Sequence, residues 1–183
     1  MKKMVISVLG CDQPGIIAAV SKTLFESGCN IEDVSQTTLQ TEFVGIFIAT
    51  IPEQLGEQDL VKRLQQRLTP MGLSVLVKPL QEGGDWKAPV SEPFVITTLG
   101  PDRLGLVAGI TEVLAGFGIN ITGLRAIFRG GNDPRRNVMI YEVDIPVAIN
   151  RSVFRTALFQ RAEELELNIS LQHRDIFETI HRV

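Results

Sequence analysis

The chain has 183 residues, of which 44% are apolar and 21% charged, and its mean hydropathy is +0.16. That is enough apolar material for a packed core, and it excludes disorder as the main state. A net charge of -3 and an isoelectric point near 5.5 exclude a protein that grips nucleic acid or an anionic membrane through its whole surface.

The first residues, Met1 to Gly10, are basic and then apolar, but the apolar run stops at once in Cys11-Asp12-Gln13-Pro14-Gly15. This reads as a strand over 4–10 rather than a secretion signal. No apolar run of about 18 residues follows, so no membrane span is expected and the predicted location is cytoplasmic. Ile16, Val20 and Leu24 then share one helical face, with Gly28 as its stop. Residues 30–39 and 43–51 are rich in β-branched side chains and read as a hairpin. A second helix is predicted from Glu57, with Leu60, Leu64, Leu68 and Met71 at helical spacing, and Leu73, Val75 and Val77 alternate as a final strand.

The same order then repeats. At an offset of 90 residues Gly10 falls on Gly100, Asp12 on Asp102, Gly15 on Gly105, Leu24 on Leu114, Gly28 on Gly118 and Asn30-Ile31 on Asn120-Ile121. Further on the offset is 94, with Pro52 on Pro146, Leu64 on Leu158 and Leu73 on Leu167, because the second copy carries the longer loop Arg129 to Arg136. Its predicted elements are a strand over 93–100, a helix over 104–117, a hairpin of 120–128 and 137–145, a helix over 151–165 and a strand over 168–174. The polar, breaker-rich segment around Gln81 to Pro89 reads as a linker. The expected domains are 1–80 and 92–183, joined by 81–91, with a short C-terminal tail from Ile176.

A βαββαβ unit of this length folds most simply as a four-stranded antiparallel sheet with both helices on one face. The expected class is therefore α+β, two tandem ferredoxin-like domains. Such a sheet has two open edges, so side-by-side pairing, between the copies or with a second chain, is expected.

The candidate chemistry lies in the turn after each first strand, Gly10 to Gly15 and Gly100 to Gly105. Free backbone N–H groups at a helix start favour a carboxylate, and a glycine there admits a ligand close to the backbone. Asp12 or Asp102 could accept from the ligand's ammonium group, so that one turn satisfies a zwitterion. The alternative role for each aspartate is a helix cap. Asn30 and Asn120 open the second strand of each copy and approach such a turn only if a neighbouring unit supplies the facing surface; the alternative is a turn residue.

The string Asp12-Gln13-Pro14-Gly15-Ile16-Ile17-Ala18-Ala19-Val20, followed by Gly28-Cys29-Asn30-Ile31-Glu32-Asp33, resembles the signature of ACT domains, the small amino-acid-sensing modules. Gly100 to Val107 with Gly118-Ile119-Asn120-Ile121 matches the same pattern, with Leu104 in the place of Pro14. The tandem arrangement, with Glu42-Phe43, is similar to the glycine cleavage system transcriptional repressor group. The resemblance implies a non-enzymatic regulator that binds a small amino acid, glycine being the leading candidate, and acts through a protein partner without reading DNA itself. Carried over by position, it nominates Asp12, Gly15, Asn30 and Ile31, and Asp102, Gly105, Asn120 and Ile121. Gln13 and Arg103 flank the same turns, and Arg103 would add a cation beside a ligand carboxylate. No cofactor or metal is implied.

Other classes have less support. The two repeats leave no room for a catalytic domain, and His173 and His181 read as solvated surface residues. The two cysteines, Cys11 and Cys29, are too few for a disulfide scaffold or a four-ligand zinc site, and read as small buried residues in a reducing compartment. Arg125, Arg129, Arg135 and Arg136 form a cluster able to hold phosphates, but Asp133 and the lack of interleaved aromatics favour a solvated hairpin loop. Residues 86–183 hold 10 of the 12 arginines, so the acidity lies in the first repeat and the second is balanced. A third alternative is a protein-interaction platform whose repeats bind no ligand.

Overall fold

The computed structural model describes residues 2–81, 88–128 and 137–181. The chain divides into two compact units, residues 1–85 and 86–183. In the first, β1 (Lys2–Cys11) leads into α1 (Ile16–Glu26), β2 (Asn30–Leu39), β3 (Glu42–Ile51), α2 (Glu57–Leu68) and β4 (Ser74–Pro79). The second repeats the order with β5 (Ser91–Gly100), α3 (Leu106–Gly116), β6 (Asn120–Phe128), β7 (Asn137–Pro146), α4 (Arg151–Glu164) and β8 (Asn168–His173), and adds α5 (Arg174–His181). Each sheet is antiparallel with the first strand inside, in the orders β2-β3-β1-β4 and β6-β7-β5-β8. The expected α+β ferredoxin-like fold is present in both repeats.

Alternation along β1 builds the first core. Met4, Ile6 and Val8 are buried against Val20 and Leu24 of α1 and Leu60, Leu64 and Leu68 of α2, as a period-2 strand beneath period-3.6 helices requires. The second core repeats this with Ile96, Ile110, Leu114, Phe154 and Leu158. Both edge strands β2 and β6 carry a bulge, at Ile31/Asp33 and Ile121/Gly123. It lets Ile31 and Ile121 pack on their cores while the residue between them faces out.

Three expectations about elements and burial in the fold need correction. The helical spacing through Met71 ends in a short 3-10 turn, Thr69–Met71, because Pro70 lacks the N–H that would continue α2. The segment expected as a plain tail forms α5, which packs on β5 and β8. Arg174 at its start reaches Thr122 on β6 and lies 4.0 Å from Glu142 and Asp144 on β7. Of the two cysteines only Cys29 is buried, and Cys11 is exposed at the end of β1. Burial pushes the Cys29 thiol up from its ordinary pKa, partly offset by the Arg63 cation. Among the described residues no helix is long and apolar enough to cross a membrane.

Candidate functional site

Each glycine-rich turn is shaped by one left-handed residue. Gly15 and Gly105 sit at φ +97° and +86° and cap α1 and α3 without any side-chain cap. A Cβ would be strained at either position. Asp12 and Asp102 therefore do not cap these helices. Asp12 Oδ2 accepts from the Thr38 hydroxyl at 3.5 Å, and Asp102 Oδ1 accepts from Asn137 Nδ2 at 3.4 Å. The first intrahelical bonds run from Ala19 to Gly15 and from Gly109 to Gly105. The three N–H groups ahead of each, Ile16 to Ala18 and Leu106 to Ala108, thus point out of the helix start without intrahelical partners. Neither first turn carries an acidic residue, so the positive end of the helix dipole has no counter-charge within its own helix.

Gln13 and Arg103 act as latches. Gln13 Nε2 donates to the Met71 carbonyl at 2.7 Å, and Arg103 Nη2 donates to the Leu165 carbonyl at 2.6 Å while pairing with Glu166 at 3.2 Å. Both tie the glycine turn to the turn before the last strand. The guanidinium expected beside a ligand carboxylate is engaged with Leu165 and Glu166.

In the second repeat the turn opens on a cavity of about 300 Å³ lined by Asp102, Arg103 and the segment 104–108, with Asn137 and Met139 of β7 as its floor. Asn137 is 3% exposed. Its Oδ1 has no hydrogen-bond partner, and neither has Oγ1 of the fully buried Thr98, which stands opposite Met139 on β5. Such a volume sits at the lower end of ligand pockets.

Sequence reasoning missed Asn137, Met139 and Thr98. The available signal was the same 94-residue offset, which lays Asn137 on Phe43 and Met139 on Gly45.

Asn30 and Asn120 lie far from the turn of their own repeat. Along β3, Asn30 pairs with Thr50 while the end of β1 pairs with Glu42, a separation of roughly 27 Å at the usual rise per residue. Asn120 is placed in the same way against Asp144. Ile31 and Ile121 are half-buried beside them. A site that uses both ends of the sheet therefore needs two units.

His173 is half-buried, with its ring edge-on to Phe94 at 5.2 Å and Nδ1 3.5 Å from Asp175; this corrects the solvated reading. The His181 side chain lies outside the described residues, as does the arginine-bearing segment 129–136. Arg125 is exposed on β6. Among the described residues no group of three or more His, Cys, Asp or Glu side chains could hold a metal ion.

The family model for the ACT domain matches residues 2–78 and 92–132. A UPF0237 protein of Methanopyrus kandleri is 35% identical over 79 residues, covering 43% of this chain and 88% of the relative. Another, of Methanosarcina acetivorans, is 31% identical over 98 residues, covering 51% and 98%. Such relatives are about one repeat long. Among the solved structures that span both repeats are the following two. One is a protein of unknown function from Galdieria sulphuraria, 24% identical with a TM-score of 0.76 over 94% of this chain and 98% of that one. The other, described as a candidate glycine cleavage system transcriptional repressor, is 20% identical with a TM-score of 0.62 over 93% and 96%. At these identities they share the fold.

Proposed function

The chain belongs to the ACT domain family, and from that premise we propose that it is a non-catalytic regulatory protein that senses a small amino acid, glycine being the first candidate. The supporting observation is the start of α3. Three backbone N–H groups without intrahelical partners, a left-handed Gly105 and the Asp102 carboxylate surround one small cavity. The N–H groups suit a carboxylate and the aspartate an ammonium group, which together describe an amino acid. Asn120 and Ile121, or Asn30 and Ile31, would complete such a site from a paired unit, so ligand binding and edge-to-edge pairing of sheets would be coupled. A sensor of this kind acts through a protein partner. The fold shared with the candidate repressor supports a partner in transcriptional regulation of amino-acid metabolism, in the cytoplasm.

A thermal-shift panel of the twenty amino acids tests the reading. A ligand present at about 100 times its Kd adds roughly 2.7 kcal/mol to stability, so at least one amino acid is expected to raise the melting temperature by several degrees. No stabiliser at millimolar concentration would replace the sensor with a protein-interaction platform.

A further inference from the structure

Resting on the sensor reading, we propose that the two repeats are not equivalent: each chain takes one amino acid, in the second repeat, where the Asn137 amide oxygen receives its ammonium group. Both repeats keep the same glycine turn and the same unpaired helix start. They differ in the floor beneath it. In the first repeat Phe43 stands at the register of Asn137, buried, with its ring folded over Gly45; a Cβ added to Gly45 would lie 2.7 Å from Phe43 Cζ. In the second repeat the sizes are exchanged. Met139 fills the position of Gly45, and the short Asn137 replaces the phenyl ring. The bulk has moved one side-chain position along the strand, away from the turn, and the cavity lies on the vacated side.

Polarity changes together with shape. Val8, fully buried in the first repeat, is Thr98 in the second. Two polar atoms, Asn137 Oδ1 and Thr98 Oγ1, are thus buried without partners where the first repeat has only hydrocarbon. Orphaned polar atoms in a core are destabilising, and an apolar floor would remove them. Asn137 already donates to Asp102 through Nδ2, which leaves Oδ1, shielded from solvent on this cavity-lining residue, as the acceptor without a partner. An ammonium group between Asn137 Oδ1 and Asp102 would satisfy that oxygen, while the carboxylate meets the N–H groups of Leu106 to Ala108. The limited volume favours a small side chain.

Calorimetric titration of the full-length chain with glycine, L-alanine and L-serine tests this. The expected molar ratio is one ligand per chain. Asn137→Leu should weaken binding at least about tenfold, as loss of a hydrogen bond to a charged group does, while leaving the melting temperature of the ligand-free chain unchanged or higher, because the orphaned oxygen is gone. A merely structural role for Asn137, through its bond to Asp102, would lower that temperature instead. The double variant Asn137→Phe with Met139→Gly copies the first repeat's packing and should abolish the binding heat, which covers the case of a single variant that fails to fold. Two ligands per chain, or undiminished binding in both variants, would overturn the inference and leave the sensor reading intact. No binding by any of the twenty amino acids would overturn both.

Discussion

Arg103 donates from its guanidinium to the Leu165 carbonyl oxygen at 2.6 Å, closing the glycine turn of the second repeat onto the turn that precedes β8. Gln13 makes the equivalent bond to Met71 in the first repeat. Since a neutral amide performs this task there, the hydrogen bond should matter more than the charge, and the ion pair to the exposed Glu166 should contribute little. Arg103→Gln is therefore expected to melt close to the unaltered chain and Arg103→Ala to lose about 1 kcal/mol. Equal losses in thermal unfolding of the two variants would contradict the latch.

Helix α4 supplies a second test. The Asn150 side-chain oxygen accepts from the Ser152 and Val153 N–H groups at 3.1 and 3.2 Å, a true N-cap of the kind absent from α1 and α3. Asn150→Ala should cost about 1 kcal/mol, and Asn150→Ser or Asn150→Asp much less. Chemical denaturation of the three variants checks the order.

The contrast between capped α4 and uncapped α1 and α3 also shows how far the sequence could be read. The recurring Gly10, Gly15, Gly28 and Asn30-Ile31 gave away the repeat because each marks a place where backbone geometry is constrained. The strands over 30–39 and 120–128 have the boundaries expected from their β-branched runs. The role of Asp12 and Asp102 was not legible, since whether an aspartate caps a helix depends on how the turn folds, and here left-handed Gly15 and Gly105 occupy the cap position. The exchange of Phe43 and Gly45 for Asn137 and Met139 spans two residues on one face of a strand. It reads as a cavity only once the turn above it is in place. Helix α5 was missed although its segment is strongly amphipathic, because its eight residues hold only two turns.

The thiols offer a chemical check. Cys11 is exposed, whereas Cys29 is buried and its pKa is raised by that burial. Only the thiolate reacts, so a disulfide reagent at mildly alkaline pH should modify Cys11 quickly and Cys29 only on unfolding. Fast modification of both thiols in the native chain would contradict the packing at the end of α1.

Tyr141 lies fully buried beside Met139, to whose sulfur its hydroxyl donates at 3.4 Å. Burial pushes its pKa up to about 12 from the ordinary 10.0. The folded chain therefore holds this proton more tightly than the unfolded chain. The stability it contributes is fully present below pH 10.0 and declines as pH rises from there toward about 12. Tyr141→Phe should flatten this alkaline limb in denaturation curves recorded from pH 9 to 12. An unchanged limb would place the titrating group elsewhere.

The amide spectrum of the isotope-labelled chain during titration with glycine, L-alanine and L-serine addresses the central claim most directly. Concentration-dependent shifts should gather at Gly105 to Ala108 and at the Asn137 side-chain amide, with the turn at Gly15 to Ala18 unmoved. A spectrum unchanged by all three at millimolar concentration, or shifts confined to the first repeat, would contradict it.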